Sequence, residues 1–424
     1  MIQEILAAIT LVVFTSFLLI SANVKFFRTY SNTKALEKKV NTGKPPSKNK
    51  SKKISGICPY TKDSSFVVEI AEDVAASPLE IFEDWINDNV LEENDEITND
   101  MKPLAARWLN AGLSGQDVPG ILRAGLKRLR DSKYFLVEDR HRLKYELSLK
   151  KKALDNPDRY PFVFVAEKDS LDAQRECLEL FIDYLPRRYP DLYEYDKEKN
   201  SITVHMIDTT FLIEEYWNNN PLELCERIVQ EDLILMRPED KESESIQSYI
   251  MAAAAVVFSF NELAEKLGKP AEFIHAPVPG FEKYLKKTLN LTFSKLKPEK
   301  PLWRNNWGIA PNGTLDEPLY GSTDTHENRT FSEVSASEVK KKWLKVEYQT
   351  IRRLPRTGNL LFTVKTMADP MSSLESVPLA AACLAKSIRG MSPDMRKYKG
   401  IEDDETCQGV LSYLDSIQLD ECKN

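Results

Sequence analysis

An α+β domain carried behind one N-terminal transmembrane helix is what the sequence predicts, and three observations predict it. The run from Ile5 to Val24 is about 20 mainly Leu, Ile, Val, Phe and Ala residues without a charge, which matches the hydrocarbon thickness of a bilayer. Beyond it, a chain with 42% hydrophobic and 9% aromatic residues has enough apolar surface to fold. Helix-periodic and strand-alternating stretches follow one another without the regular strand–helix repeat of a doubly wound sheet.

The anchor occupies residues 1–24. A cleavable signal peptide has basic residues before a shorter apolar run, whereas here Glu4 precedes the run and Lys25 and Arg28 follow it. Residues 25–57 form a basic flexible linker. Between Lys25 and Lys53 ten Lys or Arg face one acid, Glu37, and that excess favours the cytoplasmic side. NTGKPPSKNKSKK at 41–53 has no apolar residue to bury, so it reads as a tether. The same charges suit anionic lipid or plain solvent.

Residues 58–117 are acidic and helical, with Ile81, Phe82, Trp85, Ile86 and Val90 on one face and EENDEITND as a solvated loop. They form either a cap on the main domain or a spacer. The main domain spans 118–415 and a short tail 416–424. Within it the sequence reads as a charged helix ending near Leu149, strand-like YPFVFV, SITVHMI and YIMAAAAVVFSF, and a helix over CLELFIDYLPRRYP. KVEYQTIRRLPRTGNLLFTVKTM alternates and turns at Pro355 and Gly358 like a two-stranded hairpin. Helices over Ala380–Arg389 and Thr406–Ile417 close the chain.

Charge and motif content remove several functions. The formal charge of −7 becomes about −15 for residues 54–424 once the anchor end and basic linker are set aside, which argues against a nucleic-acid surface. Six Cys show no CxxC and no close grouping with His, so neither zinc, ferredoxin-type clusters nor a disulfide framework is indicated. GxGxxG after a strand, GxxxxGK[ST], HExxH and GxSxG are absent. Four His remain, at 141, 205, 275 and 326.

His275 stands out in FIHAPVPGF, where two prolines and a glycine fix the backbone just beyond the imidazole. On residues alone it is either a histidine hydrogen-bonded in a partly buried loop, the commoner case, or a ligand to a metal or haem. His205 sits on a strand-like alternation and reads as structural.

In order along the chain come AGLKRLRDSKYFLVED (124–139), YPFVFV (160–165), VQEDLILM (229–236), AEKLGKPAEFIHAPVPGF (264–281), PLWRNNW (301–307), YQTIRRLPRTGNLLFTVKTMADP (348–370) and MRKYKG (395–400). On these motifs residues 118–415 resemble the haem-dependent oxidative N-demethylases, IHAPVPG and RRLPRTG being the specific ones. The resemblance implies a PAS-like haem-binding core with surrounding helices, haem b as cofactor, and His275 as the axial ligand of the haem iron. It implies oxidation of a small methylated amine to an iminium, whose hydrolysis releases formaldehyde, with electrons from a separate reductase. Arg352, Arg353 and Arg356 are then candidates to bind the haem propionates through their guanidinium groups, or they are solvent-facing strand and turn charges. Catalytic candidates are Glu231 and Asp232, as pocket carboxylates for an amine cation or as ordinary loop carboxylates, and Asn306. Arg304, Asn305, Asn306 and Trp307 are candidates to line the same cavity, with Trp303 and Trp307 reading equally as core anchors. The family pattern is broken at Asn261, where a Trp is usual, and at Ala124, where a Met is usual.

The resulting expectation is a membrane-tethered haem protein with its domain in the cytosol, partnered by the membrane, a methylated amine and a reductase, and by no nucleic acid. The runner-up is a haem sensor or haem-handling protein without turnover. A third reading is an interaction scaffold. For the topology, protease added to sealed membranes should leave the domain intact, and the sequons at Asn290 and Asn328 should carry no glycan. Efficient glycosylation at either would place the domain on the opposite side.

Overall fold

Alternating apolar residues make the long strands. Trp343–Arg353 and Leu360–Pro370 bury nearly every position, as central strands covered on both sides do. The structure, a computed structural model, describes residues 105, 124–160, 162–243, 245–258, 263–313, 315, 335–401 and 403–417. The expected anchor, the linker and, apart from Ala105, the acidic segment lie outside the described residues, as do His326, Asn328 and Asn261. Among the described residues no helix is long and apolar enough to cross a membrane.

The fold is α+β. The strands are β1 Lys127–Arg128, β2 Phe164–Ala166, β3 Tyr193–Asp196, β4 Ser201–Val204, β5 Thr209–Leu212, β6 Asp232–Pro238, β7 Tyr249–Ala255, β8 Leu302–Ala310, β9 Trp343–Arg353 and β10 Leu360–Pro370. Seven form one antiparallel sheet in the order β1-β8-β9-β10-β6-β7-β2, and β3-β4-β5 form a small second sheet. The predicted β9–β10 hairpin is present. Its turn closes with Leu354 N–H donating to Asn359 O at 2.8 Å and Gly358 N–H to Leu354 O at 3.0 Å. SITVHMI ends as a strand at Val204, because His205–Ile207 winds into a single turn that stops at Asp208 in the left-handed region.

The helices that position the site are α1 Arg140–Leu154, α2 Leu171–Arg188, α3 Pro221–Ile228, α4 Ala271–Ile274, α5 Lys286–Lys295, α6 Pro378–Arg389 and α7 Asp404–Ser416. Residues paired across an antiparallel sheet share a face, so the register sorts side chains into two compartments. On one face Trp303, Tyr348, Leu361, Leu233 and Leu235 join the main core with α2 and α3. On the other, Leu302, Ile351, Phe362, Ile234 and Val364 form a separate apolar cluster with Ala271, Ile274, Leu289 and Phe293 of α4 and α5.

The first compartment is sealed by charge as well as by grease. Arg142, Glu146 and Lys150 lie four apart on α1, so they share a helix face, and all three are buried. Arg142 Nη2 meets Asp369 Oδ1 at 3.0 Å, Gln230 Nε2 donates to Glu146 Oε2 at 2.5 Å, and Lys150 Nζ pairs with Glu226 at 2.7 Å. Tyr189, Tyr193 and Tyr348 donate to the backbone carbonyls of Leu136, Ile228 and Tyr134 at 3.0, 2.8 and 2.7 Å. Removing one partner of such a buried pair typically costs about 3–5 kcal/mol.

Burial pushes the Glu146 carboxyl up to about 7 from its ordinary 4.5. A carboxyl raised on folding binds its proton more tightly in the native state, so its stabilising contribution is full below about 4.5 and is lost as pH rises through about 7. Thermal melts should therefore show stability falling over that window. Glu146→Gln should flatten the slope there, and an unchanged slope would assign the dependence to another group.

Candidate functional site

Helix α4 is a single turn that starts after Pro270 and hands the chain directly to His275. The loop is tied to the sheet edge, Gly268 N–H donating to Met251 O at 2.9 Å and Met251 N–H to Lys269 O at 3.0 Å. Beyond the imidazole, Val278 N–H returns to His275 O at 3.0 Å. Gly280, at φ 81°, then turns the chain so that Phe281 stacks on the His275 ring, centroids 5.4 Å apart and planes 13° from parallel. A residue with a Cβ would be strained at that φ.

The His275 Nδ1 lies 2.7 Å from Ala271 O. A carbonyl only accepts, so Nδ1 carries the proton and Nε2 is left with its lone pair. No described residue hydrogen-bonds to Nε2. Burial, helped by the positive charge of Arg304, holds the imidazole below its ordinary range and keeps it neutral. A neutral imidazole with one nitrogen pinned to backbone and the other open is the form that ligates iron.

Arg304 and Asn306 of β8 pair across the sheet with Gln349 and Glu347 of β9, on the face that carries the second apolar cluster. Glu347 is only 6% exposed. Its Oε2 accepts from Asn306 Nδ2 at 3.1 Å and Gln349 Nε2 at 2.6 Å, while Oε1 takes no hydrogen bond from a described residue. Burial raises the Glu347 carboxyl above its usual range.

Lys399 completes this cluster. Its Nζ donates to Asn306 Oδ1 at 2.7 Å and stands 5.4 Å from the Trp307 ring centre and 5.7 Å from that of Tyr398. Burial and nearby Arg304 push its amine down to about 7. Tyr398 is raised by burial and by the Glu347 charge, which places the phenol in the same cluster. The segment is held by Ile309 N–H donating to Lys399 O at 2.8 Å. Gly400, at φ 84°, lets the chains approach so closely that a Cβ there would sit 2.0 Å from Ile309 O.

The structure does not gather the three arginines of RRLPRTG. Neighbours on a strand point to opposite faces, so Arg352 is buried on the main-core side over the Phe135 ring at 5.6 Å, whereas Arg353 faces the other way. Arg353 donates to Leu296 O, Gly358 O, Phe293 O and Tyr249 Oη, each at 2.6–2.8 Å, and thereby braces α5 against the hairpin. Arg356 reaches Glu179 and Glu176 of α2, and Glu176 also accepts the Arg356 and Thr357 amides at 2.7 and 2.9 Å.

Glu231 and Asp232 are likewise engaged by backbone. Glu231 Oε1 accepts from Val137 N–H at 2.8 Å, and its carboxyl is raised by burial. Asp232 Oδ1 accepts from Val257 and Phe258 N–H at 2.9 and 3.2 Å, capping the end of β7. Asn306 is the catalytic candidate that joins the cluster. His205 lies in the turn after β4, its Nε2 3.8 Å from Glu194 Oε2. The sequence assigns no role to Glu347, Gln349, Tyr398 or Lys399; the signal it holds for Tyr398 and Lys399 is MRKYKG, and for Glu347 and Gln349 the two-residue spacing of Asn306 and Arg304 opposite them.

The residues present fit a haem: one neutral imidazole nitrogen open for iron, an apolar sheet face, and a guanidinium at Arg304 suited to a carboxylate. Residues 125–406, about two-thirds of the chain, match the family model described as haem-dependent oxidative N-demethylase, alpha subunit-like. His275, Arg304, Asn306, Glu347 and Lys399 all fall inside the match.

Because Gly400 sets the approach of the Lys399 segment to β8, Gly400→Ala should lower stability by about 1–3 kcal/mol from backbone strain alone, with the clash on Ile309 added. A thermal melt reads this. A melting temperature equal to wild type would show that the segment yields without resistance.

Proposed function

The chain belongs to the haem-dependent oxidative N-demethylase alpha subunit-like family, and from that membership we propose that it binds haem b through His275 and oxidatively demethylates a small secondary methylated amine. The observation that carries this reading is the His275 ring, its Nδ1 proton given to Ala271 O and its Nε2 without a hydrogen bond from a described residue, on a loop whose Ala271 and Ile274 pack into the second apolar cluster. The five long strands in the order β7-β6-β10-β9-β8, with the α4–α5 insertion between β7 and β8, support a PAS-like core.

When bound, haem supplies redox chemistry on dioxygen, with electrons drawn from a separate reductase. The chain's own groups do the rest. Arg304 offers its guanidinium to a propionate, and Arg353, each of whose three nitrogens donates to protein, serves the fold. Glu347 Oε1 accepts an N–H of the substrate ammonium, a charge-assisted bond made stronger by burial. The substrate ammonium would lose two electrons, taken up by the redox chemistry that the haem supplies, and two protons to become an iminium, and addition of water with cleavage of the C–N bond would give formaldehyde and the demethylated ammonium. A membrane tether and a cytosolic domain complete the proposal.

Lys399 tunes that recognition. Below about 7 its ammonium competes with the substrate cation for the field of Glu347, and above about 7 it is neutral and the competition ends. The KM for the amine should therefore fall as pH rises through about 7, and Lys399→Met should remove that dependence. His275→Ala should abolish the wild-type Soret band, whereas Arg304→Ala should loosen haem while leaving the axial spectrum unchanged. Absorption spectra and amine-dependent formaldehyde release test these outcomes. A wild-type protein with haem but no formaldehyde from any methylated amine would instead favour a sensor.

A further inference from the structure

The largest exposed aromatics near the site stand on the segment that carries His275. Phe273 of α4 is 51% exposed, and Tyr284, in the one-turn helix after the loop, is 39% exposed. The other exposed large apolar residues, Phe162, Leu212, Ile246 and Leu379, sit singly on separate elements. Scattered apolar residues are ordinary on a surface, whereas aromatics paired around one loop mark an interface.

Lysines frame these two rings. Lys269 Nζ stands 5.7 Å from the Phe273 ring centre and Lys283 Nζ 4.8 Å from that of Tyr284, with exposed Lys287 in the next helix. The charge of Lys266 is felt at His275. Between residues 263 and 300 eight Lys face four Glu in a chain whose formal charge is −7. Two of those acids are already engaged, Glu272 by Ser248 and Asn290 at 2.6 Å each, and Glu282 by Lys286 at 2.8 Å. A basic, aromatic face on an otherwise acidic protein selects an acidic partner.

The place of this face indicates what the partner does. His275 is half-buried, and its neighbours Ala276 and Pro277 are exposed, so one loop separates the proposed iron ligand from solvent. We infer that the Phe273–Tyr284 surface, framed by Lys269, Lys283 and Lys287, docks an acidic one-electron carrier protein. The inference rests on His275 being the haem ligand. In each encounter the reduced carrier loses one electron and the haem iron gains it, and no bond forms or breaks. An anionic membrane is the weaker occupant, because both aromatic-bearing helices are four residues long and neither can lie as an amphipathic helix in a lipid interface.

The test uses full-length protein and a plant-type [2Fe–2S] ferredoxin as the acidic probe, with binding measured by calorimetry at about 50 and about 300 mM salt. Wild type should bind, and its affinity should fall at least about tenfold at the higher salt. Lys269→Glu/Lys283→Glu/Lys287→Glu and, separately, Phe273→Ala should each weaken binding about tenfold or more at low salt. Lys199→Glu, in the turn between β3 and β4, should not. The basic run 25–53 is common to every variant, so the differences report on this face alone. Haem content and reduction by dithionite should be the same in all of them. Binding absent from wild type, or equal in wild type and both face variants, overturns the proposal. Loss of capture by phosphatidylserine vesicles with ferredoxin binding intact reassigns the face to lipid and overturns it equally. If wild type binds ferredoxin through these lysines but carries no haem, the docking face stands and the haem reading falls.

Discussion

Everything at the site depends on the two-residue period of β8 and β9. Arg304 and Asn306, with Gln349 and Glu347 opposite them, share a face because cross-strand partners must, and Trp303, Asn305 and Tyr348 are thereby sent to the other side. A slip of one residue would exchange the two sets. It would put Tyr348 and Thr350 against α4 and drive Glu347 into the main core. Register is thus a chemical specification here as well as a structural one, and the tight β9–β10 turn helps to hold it.

The charged ladder behind the sheet makes that register hard to lose. Arg142, Glu146 and Lys150 reach Asp369, Gln230 and Glu226, and Lys365 Nζ meets Gln230 Oε1 at 2.6 Å. Each of these bonds has one geometry, whereas apolar packing tolerates several. A shifted strand would leave Lys365 or Asp369 buried without its partner, a penalty of several kcal/mol. The polar back wall is therefore costly in desolvation but selective in alignment, and it frees the opposite face to be apolar and receptive.

Much of this fold was legible in the sequence where the determinant was local. The β9–β10 hairpin follows from alternation around Pro355 and Gly358, and the closing helices from periodicity, although they start two residues before the expected Ala380 and Thr406, at Pro378 and Asp404, where an N-terminal proline and an Asp403 cap begin them. His275 was visible because rigid residues surround it. The arginines were misleading for a definite reason: adjacency in RR suggests a shared task, yet a strand separates neighbours, and the partners of Arg356 lie 180 and 177 positions away. Lys399 and Asn306 are 93 positions apart, and no pattern within either segment points to the other. Glu347 reads as one polar residue in a buried strand until its cross-strand partner is known.

The same face also grades from polar to apolar along its length. Alternate strand residues are about 7 Å apart, so Glu347 with Asn306, then Gln349 with Arg304, then Ile351 with Leu302 mark successive steps of that size. His275 couples to Arg304, and Glu347 is the group coupled to Lys399. On the proposed reading, a small amine held by its N–H at Glu347 would turn its carbon substituents away from the polar end, since a methyl group among Asn306, Lys399 and Tyr398 would displace hydrogen-bond partners without replacing them. The apolar direction is the one that leads past Arg304 toward Leu302 and Ile351. On that proposal the orientation of the methyl group would follow from the polarity gradient of two strands.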